Sequence, residues 1–156
     1  MLPFLLIQIP APAPAPVPAP LPLPLPDATR AALLEALADG RKAEATYAAV
    51  LAKFGAVEPF LSIVDAERCD REALLDLFRS HNIEIPPNPY LGAPPRLPAT
   101  LPEACAMGVK LEEASITLYD RLLAQVRERD VLDVFRQLQE ASRSHHLPAF
   151  RACALP

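Results

Sequence analysis

Four stretches of the chain carry apolar residues at intervals of three and four, the spacing that places side chains on one face of a helix. The first stripe reads Leu33, Leu37, Gly40, Glu44, Tyr47, Leu51, Phe54 and predicts a helix over about 27–54, with Asp27 as its N-cap and Gly55 as its stop. The second, Phe60, Ile63, Glu67, Asp70, Leu74, Leu77, predicts a helix over about 59–81 with Asn82 suited to its C-terminus. So short a link as 55–59 makes these two helices antiparallel neighbours. The third stripe, Cys105, Val109, Glu112, Ile116, Tyr119, Leu123, Val126, predicts a helix over about 101–127 that opens on the capping box Thr100-Leu101-Pro102-Glu103. The fourth, Val131, Phe135, Leu138, Ser142, His145, Ala149, predicts a helix over about 130–152 capped by Asp130 and bent or ended early by Pro148. Residues 83–101 carry no period. They are long enough to run back along a helix of roughly 40 Å, so a crossover that sets the third helix parallel to the second is expected. The expected fold is an all-α four-helix bundle over residues 27–156.

Each stripe is interrupted near its middle by a polar residue: Glu44, Glu67 with Asp70, Glu112, and His145 or His146. Counting outward from the hairpin turns, Glu44 comes level with Asp70 and Glu112 with His145, so facing helices gather four carboxylates and an imidazole in one layer. Four acids cannot all stay ionised in an apolar core unless cations neutralise them, and a metal ion is the usual solution. Tyr47 and Tyr119 face the same seam and read as core residues whose hydroxyls satisfy the acids. Gly40, in mid-helix, costs roughly 1 kcal/mol against alanine and asks for a reason.

Composition adds a second region. Of the 156 residues 20 are proline, concentrated in 1–26 and 86–102. Residues 1–26 contain no charge, and from Pro10 onward every second residue is proline. Polyproline II is the conformation open to such a run, and at about 3.1 Å per residue Pro10–Pro26 reaches about 50 Å. Its carbonyls go unsatisfied in lipid, which excludes a transmembrane span, and the missing basic n-region argues against an ordinary cleaved signal. Leu21, Leu23 and Leu25 with Phe4, Leu5, Leu6 and Ile7 make the arm apolar enough to dock on a neighbouring subunit or partner. The net charge of −4 leaves no electrostatic footprint for nucleic acid.

The three cysteines show no zinc spacing. Cys105 opens one predicted helix and Cys153 closes the next, and in an antiparallel hairpin those ends are neighbours. Either a disulfide, favouring an oxidising, extracytoplasmic compartment, or two buried thiols fits. No Ser/His/Asp order, phosphate loop or CxxC supports another enzyme class.

The phrases KAEATYAAVLAKFG, PFLSIVDAERCDREALLDLF, EACAMGVKLEEASITLYDRLL and VFRQLQEASRSHHLPAF, within residues 30–153, resemble the ferritin-like superfamily, in particular a family of small, mostly exported four-helix bundles of undefined function. The resemblance implies a ferritin-like fold and a centre for two irons or manganeses, held by a Glu from each of two helices and Glu-x-x-His from each of the others. Glu67 and Glu112 match that pattern, and His146 stands in the matching phrase HLPAF. Gly40 replaces the expected helix-one Glu, Asp70 an expected His, and Arg143 a further Glu. Two expectations follow. The first is a non-catalytic structural or assembly protein with an eroded dimetal site, no cofactor, Arg143 balancing the remaining acids and residues 1–26 mediating self-association. The second is a protein that binds iron or manganese through a shifted site of Glu44, Glu67, Asp70, Glu112 and His145 or His146, for storage, sensing or oxidation.

Overall fold

The computed structural model describes residues 25–92 and 95–155, and the polyproline II arm expected over 1–26 lies outside them through residue 24. The described residues are all-helical, with no strand. Helix α1 spans Asp27–Phe54, α2 Phe60–Ser80 and α3 Leu101–Gln125. The fourth rod is built from α4 at Arg129–Ala141, a π-helical turn at Ser142–His146 and α5 at Leu147–Cys153. Helix α1 packs against α2 and α3, α3 against α4, the π turn and α5, and α2 against α4.

The helix ends show local chemistry at work. Thr100 Oγ1 accepts from the Glu103 backbone N–H while the Glu103 carboxylate accepts from the Thr100 N–H, the reciprocal box expected at the start of α3. Gly55 closes α1 at φ 87°, a left-handed conformation that glycine takes without a Cβ penalty. Asn82 is likewise left-handed at φ 52°, which returns the Ile83 N–H to the Phe78 carbonyl at 2.8 Å and buries Ile83. Two expected caps differ. Asp27 lies inside the first turn of α1 after Pro26, and α4 begins at Arg129, one residue ahead of Asp130. Both acids still sit in the positive first turn, where their charge complements the helix dipole.

Pro148 neither ends nor breaks the fourth rod. Proline has no N–H, and inside an α-helix its ring collides with the carbonyl four residues back. The π turn just before it changes the register: the Leu147 N–H bonds to the Ser142 carbonyl five residues back, and helical geometry resumes through Cys153.

The apolar interior falls into two clusters. One joins Leu33 and Leu37 of α1, Leu74 and Phe78 of α2, Tyr119 and Leu122 of α3, and Phe135 and Leu138 of α4. The other joins Tyr47 and Val50 of α1, Phe60 and Val64 of α2, Ala104 and Cys105 of α3, and Phe150 of α5. The first halves of α2 and α3 share one cluster and their second halves the other, so these helices run in the same direction. In the second cluster the rings of Tyr47, Phe60 and Phe150 meet at 4.9–5.7 Å between centroids. Gly108 lets α3 approach this group closely: a Cβ there would stand 2.6 Å from Phe150 Cδ1. A disulfide joins Cys105 to Cys153 across the same end, with Cα atoms 5.7 Å apart, and Cys69 is free and exposed. The residues separating the two clusters are polar.

Candidate metal centre

Glu67 in the middle of α2, Glu112 in the middle of α3 and His146 at the end of the π turn converge between the clusters, 7%, 1% and 4% exposed. One ligand atom from each lies within 4.8 Å of the other two. His146 Nδ1 stands 3.4 Å from Glu67 Oε1 and 3.5 Å from Glu112 Oε2, facing both acids without a directed hydrogen bond to either. Glu112 Oε1 accepts a hydrogen bond from the Tyr47 hydroxyl at 2.5 Å. That leaves Glu112 Oε2 and His146 Nδ1 buried with no partner among the described residues. Orphaned polar atoms on charged groups cost free energy that a bound ligand recovers.

The electrostatics follow from burial. Desolvation raises the Glu67 pKa to about 7, partly opposed by His146. Burial opposes protonation of His146, but Glu112 and Glu67 outweigh it and lift the imidazole to about 10. Burial and the neighbouring Glu67 and Glu112 keep the Tyr47 hydroxyl protonated, as its role as donor requires. Without an ion, the His146 imidazole is the charge that faces the two buried acids.

Asp70, one turn beyond Glu67, stands beside this trio and not in it. It is half-buried, with no hydrogen bond or ion pair among the described residues, and burial raises its carboxyl to about 6. Asp70 and Glu67 line a narrow cavity of about 20 Å³ with Asp39, Gly40, Ser115 and Tyr119, among others. Asp39 accepts a hydrogen bond from Ser115, and burial raises its pKa.

Other expected ligands lie elsewhere. Glu44 faces across to α2, where it pairs with Arg71 and, at 3.4 Å, with Arg68. These arginines neutralise it at the edge of the α1–α2 interface and remove it from the centre. His145 is exposed, because the π turn gives the inward position to His146. Arg143, expected to balance the acids, is also exposed and faces Asp120 at 3.6 Å. Gly40 borders the cavity where the family pattern expects a glutamate, and a Cβ built there meets nothing within 4 Å. Tyr119 packs on Phe135, centroids 5.4 Å apart.

Two residues absent from the sequence-based expectation shape the surroundings. Arg41 is buried and donates from Nη1 to the Pro86 and Pro87 carbonyls at 2.9 and 3.3 Å, tying the proline-rich segment to α1. Gln139 donates to the Ile116 carbonyl and Asp120, holding α4 to α3 near the π turn. Neither had a readable signal, since a lone Arg or Gln on a helix is ordinarily solvated.

Comparison of the chain with models of known protein families, with curated proteins and with solved structures finds no match.

Proposed function

We propose that the protein binds a divalent transition-metal ion, iron(II) or manganese(II), through Glu67, Glu112 and His146, as a ferritin-like protein with a reduced centre. The observation that carries this reading is the pair of unpartnered atoms, Glu112 Oε2 and His146 Nδ1, converging with Glu67 between two apolar clusters. Two carboxylates and one imidazole form a donor set suited to such ions. Ligand atoms around an ion at about 2.1 Å stand about 3.0–3.4 Å apart, close to the 3.4 and 3.5 Å separations from His146 Nδ1. A bound ion supplies positive charge and Lewis acidity, and the chain's part is to hold the donors dry and oriented, with Tyr47 fixing Glu112.

The alternative expected role, a metal-free structural bundle, needed Arg143 or another fixed cation in place of the ion. Arg143 faces Asp120 instead, and the His146 imidazole, the one cation that faces both acids among the described residues, still leaves Glu112 Oε2 and its own Nδ1 without a hydrogen bond. The metal reading is therefore preferred.

Elemental analysis of protein purified without chelators tests it. About one iron or manganese per chain is expected, falling to near zero in Glu67→Gln, Glu112→Gln and His146→Ala while far-UV circular dichroism stays helical. Wild-type protein that stays metal-free after dialysis against iron(II) or manganese(II) overturns the reading.

We place the protein outside the cytoplasm, supported by the Cys105–Cys153 disulfide. Extraction of its natural host under alkylating conditions should leave one reactive thiol per chain, that of Cys69. Three reactive thiols would refute the placement.

A further inference from the structure

A second feature borders the centre from outside. Between the first half of α2 and the last rod lies an open groove of about 530 Å³, lined by Ser62, Ile63, Ala66 and Cys69 on one side and Ala141, His145 and Ala149 on the other. Its walls are mostly apolar, and its polar groups include His146 and Asp70. His146 thus belongs to two surfaces. Nδ1 faces the buried acids, and the ring also borders the groove. Asp70 also belongs to two, since it lines both the groove and the narrow inner cavity that contains Glu67. No other residue lines both spaces, and Asp70 has no hydrogen-bond or salt-bridge partner of its own among the described residues.

We propose that this groove is the route by which the metal ion enters and leaves, with the Asp70 carboxylate as the stop between solvent and the buried Glu67, Glu112 and His146. This inference rests on the metal reading above. A cation crossing from water into a dry site loses its hydration shell, and a half-buried carboxylate at the threshold replaces part of that shell at the midpoint. Asp70 is placed for the purpose: it lies on the same helix as Glu67, three residues on, and lines the same inner cavity as Glu67 as well as the groove. Its lack of a fixed partner leaves it free to turn. The apolar walls keep field lines from Asp70 and the buried acids concentrated along the groove, the arrangement that raises cation arrival rates. Asp70 is then a positioning residue for loading, and Glu67, Glu112 and His146 hold the ion at equilibrium.

The groove also supplies its own probe. Cys69 lines it, is exposed and is the free thiol, so a maleimide reacts there selectively and narrows the groove without changing Asp70. The experiment follows cobalt(II) uptake by the metal-free full-length protein through its visible absorption, and release to excess EDTA. Asp70→Asn should slow uptake and release together by about tenfold, leaving the equilibrium affinity within about twofold. Maleimide-treated wild type should slow in the same way, and maleimide-treated Cys69→Ala should not. Unchanged rates in both Asp70→Asn and the alkylated protein overturn the entry route. A faster release with a proportionate loss of affinity in Asp70→Asn overturns the relay role and makes Asp70 a resident ligand. Failure of the wild type to take up any cobalt(II), iron(II) or manganese(II) would instead remove the metal reading and the route with it.

Discussion

Gly108 and Gly40 occupy the middles of two neighbouring helices, and their environments give opposite expectations for the same substitution. At Gly108 a methyl group collides with the fully buried Phe150 ring, so Gly108→Ala should destabilise the fold by about 1–3 kcal/mol in urea titrations. At Gly40 the methyl enters open space on a regular helix, and Gly40→Ala should stabilise by about 0.5–1 kcal/mol. The centre yields a pH dependence at the same scale. Glu67 and Asp70 have folded pKa values of about 7 and about 6, above the ordinary carboxylate range. Between the unfolded and folded values the native state binds more protons, so stability falls as pH rises through that window. The raised His146 adds the same sign at higher pH: its contribution is complete below its ordinary value of 6.5 and is lost toward about 10. Glu35, Glu103 and Glu128, whose carboxyls are held below their ordinary value of 4.5, act with the opposite sign, but nearly all of their titration lies below pH 5.5. In EDTA the unfolding free energy should therefore be smaller at pH 8.5 than at pH 5.5, by on the order of 1–3 kcal/mol. With saturating iron(II) or manganese(II) the trend should reverse, because the ion competes with those protons.

Among the elements, the last rod depends most on its surroundings. It carries His146, and its final turns are fastened to α3 by the disulfide, whose partners are 48 residues apart in sequence. Breaking the link with Cys153→Ser should cost about 2–4 kcal/mol and weaken metal retention, since α5 and the π turn then rely on Phe150 and Leu147 for anchorage. The same rod marks where the sequence stopped being readable. The four helices and the inward positions of Glu67 and Glu112 followed from a 3.6-residue period that holds through α2 and α3. Choosing between His145 and His146 required knowing that a π turn breaks the period, and Pro148 signalled a disturbance without saying which register would absorb it. Glu44 was ambiguous for another reason. It lies within its stripe, yet its outward turn is set by Arg68 and Arg71 on another helix, a pairing that no reading of α1 alone contains.

Among the described residues, those that build the centre come from α1, α2, α3 and the π turn. Removing residues 1–24, while keeping the buried Leu25, should leave metal stoichiometry unchanged. A loss of bound metal on this truncation would show that the arm completes the site. Sedimentation of the same truncation asks the separate question of assembly: a drop in oligomer size would give the arm the docking role its composition suggests.

The polar layer between the two clusters also bears on how the bundle comes apart. A continuous core tends to yield as one body, whereas a core divided by ionisable groups has a seam. Helix ends on one side can open while the other side stays packed, and the disulfide at the Phe150 side makes the opposite side the first to open. Amide hydrogen exchange in EDTA should therefore resolve two protection levels, with the amides around Phe60 and Phe150 the slower set. An ion seated in the seam acts as a rivet through both halves, and on its addition the two levels should merge into one.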